Sequence, residues 1–298
     1  MSGIRKAWSV CKLEFLRWKK AYRLYMILAL LLLFSLQYTD PLFTFADQMG
    51  YPVTPWLLPF LLTSTNGRFG IYFCAVLYFG NLFSTQPIEK YLLLRSGGRS
   101  YLLGKVFYIF AAALVYTLLA AVLPLLPYMG QIYWSGDWGV ILGSYERMMS
   151  YHTSVGIYIS PLVTQYLTPL QAMSASFGLL WLTLSMLGSV IYLLNAASGK
   201  IYGIVVGGVL AGMDYFTVNF FSLPQQQAMS VYISPVTTSN LDFLLYGTDT
   251  KQFWYPTIGT SFGILIGLLV ILIALMFILQ RIAYRSGSTH QCFHMMGE

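Results

Sequence analysis

Few residues in this chain have the type and spacing to do chemistry. The run GRSYLLGK at 98–105 ends in Gly-Lys, as a phosphate-binding loop does. That loop needs four residues between its glycines and a Ser or Thr after its Lys, whereas here five residues separate Gly98 from Gly104 and Val106 follows Lys105. No nucleotide is expected to bind there. His290, Cys292 and His294 in HQCFH are soft metal ligands at alternate positions, but they lack a fourth ligand and sit at a chain end, so a disordered tail is expected and no metal. His152 is the only other histidine, and no serine stands in a Gly-x-Ser-x-Gly elbow, so nothing supports an intramembrane hydrolase. Two features remain. Asp214 is the one acid inside an apolar run, which reads as a functional ionisable group or as a cap near the outer boundary, bonded to Tyr or Thr neighbours. The segment EKYLLLRSGGRSYLLGK, 89–105, concentrates charge and a Gly pair between two hydrophobic runs.

The elements that must position these residues are membrane spans. A chain of 298 residues that is 57% hydrophobic, 17% aromatic and only 9% charged lies outside the range of soluble domains. An all-α integral membrane protein is expected, with residues 1–298 forming one transmembrane domain. Six runs approach the roughly 20 apolar residues that a crossing requires. They lie near 22–38, 69–85, 104–126, 170–194, 201–221 and 257–282. PWLLPFLL at 55–62 is too short to cross and is broken by Pro55 and Pro59, so it should dip into the outer leaflet or cap the bundle.

Lys and Arg set the orientation, because cytoplasmic flanks carry their excess. Fourteen of the 17 fall before the first run, in 86–105, in the turn at 195–200 or in the tail, which leaves Arg68, Arg147 and Lys251 on the other side. Both termini are therefore expected in the cytoplasm, in agreement with six spans, and the chain is expected in the cell membrane. The net charge of +7 reads as attraction to the cytoplasmic leaflet and its lipid, with no nucleic-acid partner. Ile4, Trp8, Cys11, Phe15 and Trp18 recur at helical spacing, apart from Lys12, Lys19 and Lys20. This predicts an amphipathic interfacial helix over 1–21, with no signal peptide to be cleaved. Three cysteines in cytoplasmic or membrane positions imply no disulfide framework.

The external stretches 127–169 and 222–256 share an echo, YISPLVTQYL at 158–167 and YISPVTTSNL at 232–241. It predicts similar external caps in which Pro ends a short interfacial helix. Gly203, Gly207, Gly208 and Gly212, and Gly259, Gly263 and Gly267, place small residues at about helical spacing, for close packing within the bundle or across a dimer.

Between the second and third runs, Glu89 and Lys90 open the short apolar stretch Tyr91–Leu94, Arg95-Ser96-Gly97-Gly98-Arg99 predicts a turn, and Lys105 anchors the third span. With the amphipathic N-terminal helix, six spans and a long outer segment before the last, this resembles the type 2 permease subunits of ABC transporters. The resemblance implies that 86–103 is a cytoplasmic coupling helix docking into a separate ATPase subunit. Glu89, Lys90, Arg95, Ser96, Arg99 and Lys105 would face that partner while Gly97 and Gly98 let the chain turn. It further implies export of an amphipathic peptide, lipid or drug-like substrate by two permease chains, identical or similar. ATP and Mg would be held by the partner ATPase, with no catalytic residue and no cofactor in this chain. The competing classes are an ion-coupled transporter or channel using Asp214, and a non-transporting scaffold or sensor.

Overall fold

The computed structural model describes residues 3–18, 21–82, 87–148, 157–198, 200–221, 226, 232, 234–250 and 255–285. Among the described residues the chain is helical and has no strand, only one isolated bridge between Val53 and Ile132. The helices are α1 (Gly3–Arg17), α2 (Tyr22–Met49), α3 (Leu58–Thr63), α4 (Thr65–Leu82), α5 (Pro87–Ser96), α6 (Gly98–Val122), α7 (Gly139–Met148), α8 (Pro161–Tyr166), α9 (Pro169–Ser198), α10 (Lys200–Phe220), α11 (Leu241–Thr250) and α12 (Ile258–Arg285). Tight 3₁₀ segments, Leu123–Gln131 and Pro235–Ser239, follow α6 and precede α11.

Among the described residues five helices are long and apolar enough to cross a membrane: α2, α6 with its 3₁₀ extension, α9, α10 and α12. The remaining expected run, 69–85, falls in α4 up to Leu82, with 83–85 outside the described residues; this helix has only 18 residues and carries Asn66, Arg68 and Asn81. Helix α2 runs on past 38 to Met49, through Pro41, and ends where Gly50 turns left-handed at φ 70°. The amides of Gly50 and Tyr51 there close on the Asp47 and Ala46 carbonyls.

Helices α4 and α9 sit at the centre. Helix α9 buries 61% of its most apolar stretch, against 17% for α12. Glycines without a side chain admit the neighbours. A Cβ on Gly80 would meet Ile204 of α10 at 2.8 Å, and one on Gly188 would meet Phe79 of α4 at 2.8 Å. The expected glycine rows divide. Gly203 lies against Asn195 and the Ile191 carbonyl, and Gly207 against Ile191, so these two pack within the chain. Gly208, Gly212, Gly263 and Gly267 face open space, and Gly259 meets only Thr257.

The bundle has two unlike ends. At one end α1, α5, the start of α6 and the close of α12 come together: Gly3 approaches Ser100, and a Cβ on Gly98 would meet Gln280 at 2.5 Å. The other end carries α3, α7, α8, α11 and both 3₁₀ segments. Side chains stitch this cap to backbone, with Thr54 donating to the Trp138 carbonyl, Trp56 to Ser135 and Trp138 to Leu167. All six residues of α3 are buried, so the segment around PWLLPFLL caps the bundle. The two Ile-Ser-Pro echoes correct an expectation. Pro161 and Pro235 open short helices, at the first position where a missing N–H costs nothing, instead of ending them.

Candidate functional site

The cap covers the most unusual chemistry in the chain. Arg68, in the first turn of α4, is fully buried and pairs through Nε with Asp214 Oδ2 of α10 at 2.7 Å. Sequence reasoning counts Arg68 among the cations of the outer side and gives Asp214 no charged partner; the structure buries Arg68 and brings the two together. Its Nη1 donates to the Leu62 carbonyl at 2.6 Å, satisfying an orphan acceptor at the end of α3. Charges taken out of water are tolerated only when paired and hydrogen-bonded, and this pair is incompletely served. Arg68 Nη2 and Asp214 Oδ1 are buried without a hydrogen-bond partner, as is Tyr72 Oη one turn along α4. Tyr72 lies in the field of both charges, and its hydroxyl faces Ser239 and Thr183 without closing a hydrogen bond.

Around them the Pro235–Ser239 segment contributes a hydroxyl-rich wall. Thr237, Thr238 and Ser239 are buried, Thr238 Oγ1 lies 3.5 Å from Thr183 Oγ1 of α9, and Ser234 Oγ and Thr237 Oγ1 are unpartnered. At the edge of this wall Ser160, the N-cap of α8, donates to Asp242 Oδ1 of α11. Burial raises the Asp242 pKa above the ordinary carboxylate value, against the opposing pull of the Ser160 hydrogen bond and the Arg68 charge.

The opposite end holds the segment singled out from sequence. Helix α5 runs from Pro87 to Ser96, Gly97 alone forms the turn at φ 78°, and α6 begins at Gly98. The expected five-residue turn is therefore one residue, with Gly98 and Arg99 helical; a left-handed residue here needs Gly, since a Cβ would strain it. Tyr91, Leu94, Arg95, Gly97 and Arg99 are exposed, Leu94 at 84%, and Ser96 Oγ is tied to the Leu92 carbonyl. Glu89 and Lys90 belong to α5, but their side chains lie outside the described residues.

Lys105 does not join that surface. It is buried inside α6 and pairs with Glu14 of α1 at 2.9 Å, while Arg17 holds the other Glu14 oxygen at 2.8 Å. Helix α1 can lie so close because Gly104 has no side chain: a Cβ there would meet the Ala7 carbonyl oxygen and Val10 Cβ at 2.7 Å. Its buried face is accordingly Ala7, Val10, Cys11 and Glu14, whereas Ile4 and Trp8, on the apolar stripe predicted for a membrane interface, are exposed on the bundle. Trp18 Nε1 donates to Tyr108 Oη at 2.8 Å, and Phe15 packs edge-on to the same ring.

His152 and the HQCFH tail lie outside the described residues. Among the described residues no three His, Cys, Asp or Glu side chains come together to hold a metal. Sequence reasoning misses Arg68 and Glu14. The signal is present: intramembrane acids and bases seek one another, and Arg68 opens an apolar run as Glu14 interrupts an apolar helix face. No family model matches the chain, and no curated protein or solved structure matches it.

Proposed function

We propose that this chain is the transmembrane subunit of an ATP-driven transporter, working as a pair of permease chains above a pair of separate ATPase subunits. The observation that carries the reading is α5. It is a ten-residue helix that packs against α6 and α1, showing Tyr91, Leu94 and Arg95 outward, with Arg99 just beyond the glycine turn. A leucine 84% exposed beside cations at the basic end of the bundle suits a protein socket better than water. In this reading α4 is a sixth crossing, α1 and the close of α12 lie in the cytoplasm, and α5 transmits ATPase movement to α4 and α6 as rigid displacement. ATP and Mg belong to the partner, and the cargo is an amphipathic peptide, lipid or drug-like molecule moved outward. Arg68 weighs against the ion-coupled alternative, because Asp214 already has its counter-charge.

The test is affinity purification of the full-length chain from its own host in mild detergent, with ATP hydrolysis and native mass as readouts. Wild type is expected to bring an ATP-hydrolysing subunit with it, and a variant carrying Leu94→Asp, Arg95→Ala and Arg99→Ala to lose that subunit while remaining folded. Absence of any ATPase from wild type overturns the proposal.

A further inference from the structure

An arginine edge and a carboxylate meet most completely as a fork, through two parallel N–H···O bonds. The Arg68–Asp214 pair closes only one of them. Nε donates to Asp214 Oδ2 at 2.7 Å, whereas Nη2, on the same edge of the guanidinium, and Asp214 Oδ1 find no hydrogen-bond partner among the described residues, not even each other. Nη1, on the far edge, is taken by the Leu62 carbonyl at 2.6 Å. One donor and one acceptor are left together at the open prong of the fork. Tyr72 adds a hydroxyl that can serve as either. It stands one turn after Arg68 on the same face of α4, in the field of both charges, and its Oη is likewise without a partner. All three side chains are at most 1% exposed, so bulk solvent does not serve them, and groups orphaned in this way carry their full desolvation penalty.

Whatever completes the fork must accept from Nη2 and donate to Oδ1. It must be neutral, because Arg68 and Asp214 already cancel and an added ion would stand uncompensated out of water. It must also be compact, since α4 and α10 are pinned at 2.7 Å beside it. Water meets all three conditions. We propose that the pair binds an internal water molecule, which accepts from Arg68 Nη2, donates to Asp214 Oδ1 and has Tyr72 Oη as its third partner. Three hydrogen bonds to otherwise unserved groups are the usual complement of a buried water. This water gives α4 and α10 a second link beside their direct contact. It is also trapped, because the Pro235–Ser239 segment packs on α9 and α10 and the three side chains that hold the water do not reach solvent. The site does not depend on the ATPase reading, and the isolated chain suffices to test it.

The experiment is X-ray footprinting of the full-length protein in nanodiscs. Water ionised in place makes hydroxyl radicals that oxidise the nearest side chain, and mass spectrometry reads the product residue by residue. Tyr72 is expected to be oxidised although it is 0% exposed. Tyr78 and Tyr116 are as deeply buried, but their hydroxyls are bonded to the Ala112 and Ile71 carbonyls, and both are expected to stay unmodified. Arg68→Met combined with Asp214→Leu removes both prongs and should abolish the Tyr72 product. Transfer into heavy-oxygen water just before irradiation should leave ordinary oxygen in the Tyr72 product, while exposed Tyr133 takes the heavy isotope. If the double variant fails to fold, that delay decides. The proposal is overturned if Tyr72 is as unreactive as Tyr78 and Tyr116, or if all three are oxidised alike. It is equally overturned if the double variant keeps the Tyr72 product, or if heavy oxygen enters Tyr72 as soon as Tyr133.

Discussion

Arg68 and Asp214 are 146 residues apart in sequence and 2.7 Å apart in the fold, and neither is reached by solvent. A buried pair is costly to assemble and far costlier to break, because the survivor keeps its charge without its partner. Arg68→Met is therefore expected to destabilise by about 3–5 kcal/mol, while Arg68→Met combined with Asp214→Leu should recover most of that loss. Thermal unfolding in detergent, followed by tryptophan fluorescence, reads both; a double variant no more stable than the single one would mean that the charges do not act as a pair. The acid is legible in the sequence because it interrupts an apolar run. The signal from Arg68, at the head of an apolar run, is overridden by its place in the count of membrane sides, and so is the inward role of Lys105. Counting basic residues as markers of a membrane side treats every cation as exposed, and only the folded contacts show which ones have been drawn inside to meet Asp214 and Glu14.

At the scale of elements, α1 is held to α6 by a close approach as much as by charge. A Cβ on Gly104 would strike the backbone oxygen of Ala7, which cannot swing aside as a side chain would, so the whole helix has to lift. Gly104→Val in a Cys74→Ser, Cys292→Ser background is expected to raise maleimide labelling of Cys11, now 3% exposed, by about tenfold, equivalent to about 1.4 kcal/mol of lost docking. Labelling rates at one pH suffice, and burial together with the Glu14 charge keeps the thiol pKa raised until α1 moves. An unchanged rate would mean that Gly104 is not what seats the helix. The existence of α1 and of five apolar helices is readable from periodicity and run length. The direction in which α1 faces is not. Its sequence offers two adjacent apolar arcs, Ile4 with Trp8 and Ala7 with Val10, and only the groove over Gly104 selects the second. The short cap helices are obscure for a related reason: Pro161 and Pro235 break a span and begin a helix equally well, and the choice depends on whether Ser160 or Ser234 stands before them in extended conformation.

For the whole molecule the open question of physics is α4, too polar by composition to count as a crossing yet packed at the centre of helices that do. Its 18 residues rise about 27 Å, close to the roughly 30 Å hydrocarbon core. The residue that most lowers its hydropathy, Arg68, never meets lipid: it is 0% exposed and neutralised by Asp214. A hydropathy sum charges α4 for a cation exposed to hydrocarbon, whereas the fold exposes none, so the insertion cost falls on the assembled bundle instead of on the isolated helix. Helix α4 is thus expected to cross, placing the cap outside and α5 inside, as the bias of Lys and Arg toward the α1 and α5 end requires. Tyr51 at the cap and Leu94 on α5 flank α4 and are both exposed, at 51% and 84%. Single-cysteine variants Tyr51→Cys and Leu94→Cys are treated in intact cells with a membrane-impermeant thiol reagent. The Tyr51→Cys variant is expected to label at once, and the Leu94→Cys variant only after permeabilisation. Labelling of both from one side would show that α4 turns back within the cap, and labelling of Leu94→Cys alone would invert the molecule, leaving α5 on the wrong side of the membrane to meet an ATPase.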